Sequence, residues 1–158
     1  MTLSTDALGD NGYFDGRYTC DLDNSSPELR WENVPVGTSG FAVMAEDLDA
    51  HGGVLTHWLI YNIPAQVHHL PAGIPPQDTL PNGIRQGINS LGKLGYAGPC
   101  PPIGDRSHRY SFKVFALLHL PLLSSRLRRE DLLRAIQPYI LATAQVDGLY
   151  QRSIQRAG

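Results

Sequence analysis

Charge is sparse in this chain, cysteine is nearly absent, and no long apolar run occurs. Asp, Glu, Lys and Arg make up 18% of the 158 residues, and the formal net charge is −2. A general nucleic-acid binder carries a basic face, so nucleic acid is not an expected partner. The apolar stretches fall far short of the roughly 20 residues that cross a bilayer as a helix, so no membrane span is expected. The opening segment, MTLSTDALGDNGYF, has neither the basic nor the apolar region of a secretory leader, which gives cytoplasmic as the expected location. Cysteine occurs twice, at Cys20 and Cys100, without the paired spacing of a zinc site. In a reducing cytosol both would be free thiols.

What is present points to a β-rich fold. Apolar residues reach 42%, enough for a real core, and 16 glycines and 12 prolines divide the chain into many short segments. The length is that of a single domain over residues 1–158. SGFAVMAED alternates as a strand, with Phe41, Val43, Ala45 and Asp47 on one face. THWLIYNIP follows, with His57, Leu59 and Tyr61 expected on one face; both of its faces are apolar, as in a central strand covered on each side. HRYSFKVFALL directs His108, Tyr110, Phe112, Val114 and Ala116 inward and Arg109, Ser111 and Lys113 outward. One helix is expected within 126–145, its Leu132, Leu133, Ile136, Tyr139 and Ile140 forming an apolar face, with Pro138 kinking or splitting it near Ile136. DGLYQRS reads as a turn and a short last strand. Residues 64–107, with eight prolines, read as a long ordered loop. Trp31 reads as a core anchor, and His51, His68, His69 and His119 as surface or loop residues.

Three inward-facing polar residues lie at strand ends. Asp47 closes one strand; His57 and His108 open two others. If the first strand is antiparallel to the other two, all three meet at one edge of the sheet, with Tyr110 beside them and the loop GPCPP nearby. A few converging polar groups in an apolar cleft are the usual form of a ligand site. Asp49 reads as a loop-organising carboxylate.

These residues also carry a resemblance. YTCDLDNSSPELRWENVPVGTSGFAVMAEDLDA, THWLIYNIPA, QGINSLGKLGYAGPCPPIGDRSHRYSFKVFAL and GLYQRS resemble the phosphatidylethanolamine-binding protein family, in a match that runs from about Tyr13 to Arg152. The nearest branch is the bacterial and archaeal one related to Raf kinase inhibitor protein. The resemblance implies a mainly β sandwich with a large central sheet, few flanking helices and a small anion pocket at one end. It places the family's aspartate-proline-aspartate motif on Asp47, Leu48 and Asp49. It places the pocket histidines on His57 and His108, and the pocket tyrosine on Tyr110. The Gly-x-x-Pro-Pro loop falls on Gly98, Pro99, Cys100, Pro101 and Pro102. Leu48 and His51 stand where the family has prolines, and Pro138–Tyr139 where bacterial relatives carry Gly-His. The resemblance further implies a homodimer and a kinase or protease partner.

The expected function is binding of a small anion: phosphate, phosphoethanolamine or another phospholipid headgroup, or a phosphorylated side chain. The expected donors are His57, His108, the Tyr110 hydroxyl and the Gly98 and Cys100 amides, the prolines having none. Asp47 would orient a histidine ring rather than touch the anion. A protein-interaction inhibitor needing no small ligand is one alternative. A small-ester hydrolase is another, although no Gly-x-Ser-x-Gly elbow is present and an enzyme is not expected. His57, His108 and Asp47 would suit zinc chemically. The resemblance favours an anion, so neither metal nor cofactor is expected.

Overall fold

The computed structural model describes residues 1–153. Among these residues, eight strands form two antiparallel sheets. β1 (Thr2–Ser4), β2 (Leu29–Glu32) and β5 (His69–Leu70) make the small sheet, in the order β1-β2-β5. β3 (Gly40–Asp47), β4 (Leu55–Pro64), β6 (Arg85–Gln86), β7 (His108–Leu117) and β8 (Ile140–Tyr150) make the large one, in the order β6-β4-β3-β7-β8. The expected sandwich with a large central sheet is therefore observed.

Alternation explains which face each residue takes. Phe41, Val43 and Ala45 of β3 join Phe112, Val114 and Ala116 of β7 in one core, closed by Leu29, Trp31 and Leu70 from the small sheet. The opposite face, with Ala42, Met44, Leu59, Tyr61 and Phe115, packs under α1 (Arg129–Ile136) through Leu132 and Ile136. An ion pair of 2.8 Å between Arg129 Nε and the buried Glu46 carboxylate fastens the helix start to β3. β4 is thus covered on both sides, as its apolar faces required.

Four expectations about this sheet need correction. The helix breaks at Ile136, near the expected split, but does not resume toward 145: a 3-10 turn over Gln137–Tyr139 follows, and Ile140 begins a long edge strand. Pro138 lacks the amide that another helical turn would use, and the sequence after it alternates. DGLY is accordingly the end of β8, not a turn and a separate strand. Ser111 does not face solvent, because its side of β7 lies under the helix layer, and it is fully buried.

The fourth correction bears on the site. His57 does not share a face with Leu59 and Tyr61. The register against β3 pairs Ala45 with Trp58 but Glu46 with Thr56, which leaves His57 as the extra residue of a β-bulge. A bulge breaks the strict alternation of a strand. Leu59 and Tyr61 pack toward the helix, whereas the His57 ring lies against Tyr110 on the other side.

Candidate anion-binding site

β3 runs antiparallel to both β4 and β7, so the end of the first meets the starts of the others. Asp47, His57 and His108 are brought to one edge of the sheet. Asp47, His57, Gly98, Cys100, Pro101, Pro102, His108 and Tyr110 all line one cavity of about 280 Å³. That is a small volume by the standard of ligand sites and suits a headgroup-sized molecule.

The long loop reaches the cavity because buried amides pin it. Gln86 accepts from Trp58 Nε1 at 2.8 Å and donates to the carbonyls of Pro75 and Gln77. Asn89 donates to the Gly95 carbonyl and accepts from the Leu91 amide. Beyond these, Ala97 clamps His57 twice. Its amide donates to the His57 carbonyl at 2.9 Å, and its carbonyl lies 2.6 Å from His57 Nδ1. A carbonyl only accepts, so Nδ1 carries a proton and Nε2 is the atom left to meet a ligand. Burial pushes the His57 pKa down, against a weaker upward pull from the Ala97 carbonyl and the Asp47 charge.

His108 is held differently. Its Nδ1 donates to Asp47 Oδ2 at 2.8 Å, and its Nε2 lies 3.0 Å from Asp105 Oδ2. Burial alone would lower its pKa. The hydrogen bonds to the Asp47 and Asp105 carboxylates outweigh burial and raise it. Both ring nitrogens are thereby committed, so His108 is not the open donor that the sequence suggested. Tyr110 lies between the two histidines, edge-on to His57 at 5.4 Å and nearly parallel to His108 at 6.4 Å. Burial first, then the Asp47 charge and hydrogen bond, keep its phenol protonated.

Gly98 also differs from expectation. It lines the cavity, but its amide donates to Asn24 Oδ1 at 2.7 Å and is not open to a ligand. A Cβ there would lie 2.2 Å from the Tyr18 carbonyl oxygen, so glycine is required for close approach of two loops. The same approach joins Cys20 to Cys100 in a disulfide, with the Cys20 amide donating to the Pro99 carbonyl at 3.2 Å. The expectation of two free thiols is overturned. Eighty residues separate the two cysteines in sequence, and only the folded loops show them adjacent.

Asp49 organises the turn as expected, accepting from the Arg109 amide at 2.7 Å. Two residues that the sequence reading left out stand at the mouth. His51, read as a surface residue, is exposed but lines the cavity, and its Nε2 lies 2.7 Å from Asp105 Oδ2. Hydrogen bonds from His51 and then His108 hold the Asp105 carboxyl below its usual range. Asp105 lies in an irregular loop, where no periodicity marks a direction. His68, His69 and His119 are exposed, as expected.

A two-sheet sandwich with a histidine-lined cavity at one end defines a class of small binding proteins. A family model described as Phosphatidylethanolamine-binding protein matches residues 4–151, and the chain belongs to that family. A UPF0098 protein of Methanothermobacter thermautotrophicus is 43% identical over 152 residues, covering 96% of this chain and 99% of the relative. One from Aquifex aeolicus is 46% identical over 139 residues, covering 85% and 79%. Among solved structures, Escherichia coli YbcL superposes with a TM-score of 0.86 at 34% identity, covering 98% of each chain. The phosphatidylethanolamine-binding protein homolog CT736 of Chlamydia trachomatis gives 0.84 at 30% identity, covering 96% and 97%.

Proposed function

We propose that the cavity binds a small anion, with a phosphate or phospholipid headgroup as the chemistry that fits it best. The supporting observation is the His57 ring. Its Nδ1 is locked to the Ala97 carbonyl, it is buried in a small cavity, and Nε2 changes from acceptor to donor when the ring is protonated. The Tyr110 hydroxyl and the Cys100 amide become further donors when an anion displaces the bonds that tie the hydroxyl to Asp47 and the amide to Tyr110. The doubly bonded His108 carries positive charge beside them and balances the nearby carboxylates.

Turnover is not part of this reading. The Cys100 sulfur is tied in the disulfide, and both His108 nitrogens are bonded to carboxylates, so neither acts as nucleophile or free base. A phosphorylated side chain of a kinase or protease partner would offer the cavity the same oxygens as a headgroup. The disulfide favours a compartment in which thiols are oxidised over the cytoplasmic setting expected from sequence.

Calorimetry with phosphoethanolamine and with glycerophosphoethanolamine, in buffer containing chelator, tests the proposal. The phosphodiester of the second probe keeps its charge from pH 5 to 8, so any pH dependence belongs to the protein. Binding takes up a proton at His57, so affinity is greatest below the free-state His57 pKa and weakens as pH rises through the bound-state value. His57→Ala should remove both the affinity and the proton uptake. Binding unchanged from pH 5.5 to 8, or unchanged in His57→Ala, would refute it.

A further inference from the structure

We propose that His51, Asp105 and His108 form a site for a zinc-like divalent cation at the mouth of the cavity. The three side chains come from two segments distant in sequence: His51 from the β3–β4 turn, and Asp105 and His108, three residues apart, from the loop that runs into β7. His51 Nε2 and His108 Nε2 both point at Asp105 Oδ2, at 2.7 and 3.0 Å. The candidate ligand atoms all lie within 4.8 Å of one another.

Two imidazoles converging on one carboxylate oxygen each need a proton to bond it. A single cation replaces both protons, which leave to solvent, and satisfies all three groups at once. Zinc binds imidazole nitrogen and carboxylate oxygen at about 2.0–2.2 Å, which in a tetrahedral shell sets neighbouring ligand atoms roughly 3.3 Å apart. On the Asp105 side the contacts of 2.7 and 3.0 Å open by about 0.3–0.6 Å, and the two imidazole nitrogens, within 4.8 Å of each other, settle at the same spacing. His51 makes the larger adjustment. It is exposed, and Gly52 and Gly53 after it take positive φ of 84° and 123°, so the turn has room to follow.

The layer behind the ligands is already built. Asp47, itself buried, accepts from His108 Nδ1 at 2.8 Å, and its other oxygen accepts from the Asp49 amide at 2.8 Å. A carboxylate on the far nitrogen of a ligating histidine fixes the ring and raises its basicity. Asp47 is therefore a positioning residue here.

Two imidazoles and one carboxylate select zinc or cobalt over calcium and magnesium, which prefer all-oxygen shells. Three protein ligands leave a fourth position for water or an anion. His51 and His108 line both the 280 Å³ cavity and a neighbouring one of about 650 Å³, so solvent reaches that position. This triad is not the His57–His108–Asp47 set considered from sequence. His57 Nδ1 is committed to Ala97 and Asp47 to His108.

The test strips the full chain with chelator and then titrates zinc by calorimetry and cobalt by visible absorption. The expected result is one equivalent bound, with an intense tetrahedral cobalt band and release of protons. His51→Ala, on an exposed turn, should keep the fold by circular dichroism and lose the band. Asp105→Asn should do the same, and Asp47→Asn should weaken metal affinity about 10- to 100-fold. His119→Ala should bind as the parent does. Absence of stoichiometric binding at micromolar metal, or binding that survives both His51→Ala and Asp105→Asn, overturns the proposal. The anion titration is run in chelator, so its failure leaves this result standing, and the reverse holds too.

Discussion

Asp47 and His108 form a buried pair, joined Oδ2 to Nδ1 at 2.8 Å and each less than 5% exposed. The two pocket histidines are therefore pushed in opposite directions. His108 is raised, with Asp47 and Asp105 overcoming burial; His57, facing a carbonyl rather than a carboxylate, is lowered. In chelator-treated protein, NMR should show the His57 ring titrating below its ordinary value of about 6.5 and the His108 ring above it. Their linkage to stability differs in sign. The His108 contribution is fully present below about pH 6.5 and is lost as pH rises through its folded value. The His57 term costs nothing at high pH and destabilises as pH falls below about 6.5. Coincident titration of the two rings would contradict the separate environments.

Thiol counting under denaturing, non-reducing conditions should find no free cysteine. Reducing the bond releases the constraint on the unfolded chain. For the separation of 80 residues, chain entropy sets this at about 4–5 kcal/mol. A Cys20→Ser, Cys100→Ser double variant should unfold at clearly lower denaturant concentration. It should also bind phosphoethanolamine more weakly, because the loop wall of the cavity loses its tie.

Gly98→Ala should be among the most damaging single-atom changes in the loop. The added carbon meets the Tyr18 and Asn24 oxygens, one of them backbone and unable to step aside. A loss of about 1–3 kcal/mol or more is expected in urea denaturation, with loss of ligand binding.

Leu132 is fully buried where α1 meets the large sheet. Leu132→Ala should cost about 2–5 kcal/mol, measured as a shift in denaturation midpoint with unchanged slope. A cost below about half a kilocalorie would mean the helix does not pack as described.

Ser111 offers the opposite case. Its hydroxyl is buried without a hydrogen-bond partner among the described residues. Ser111→Ala removes an unpaired polar group, so stability should hold or rise in the same assay.

The legible parts of this molecule were those governed by period. β3 and β7 alternate cleanly, and that alternation alone brought Asp47, His108 and Tyr110 to one face. The resemblance added the loop residues Gly98 to Pro102. His57 was selected on the assumption of strict alternation, which would place it with Leu59 and Tyr61. It reaches the cavity through a bulge, and a bulge is a property of two strands in register, invisible in either one. Ser111 was misjudged because polarity was taken as a sign of exposure. Ile140 was given to the helix because its spacing fits both periods, and Pro138 decides in favour of the strand. Cys20–Cys100 and His51–Asp105 are contacts between loops, where sequence carries no direction at all.

The disulfide has a consequence for what a protease can do to this protein. One cysteine precedes most of the sandwich and the other lies near the end of the long loop. A cut anywhere between residues 20 and 100, for example at the exposed Gly52–Gly53 turn, leaves one cysteine on each piece. The two fragments remain a single covalent molecule, with β3 on one and β4 on the other. On a non-reducing gel the nicked chain runs as one species. Fragment loss needs a reductant as well as a protease, so the cavity's two walls stay together after damage that would separate them in an unbridged sandwich.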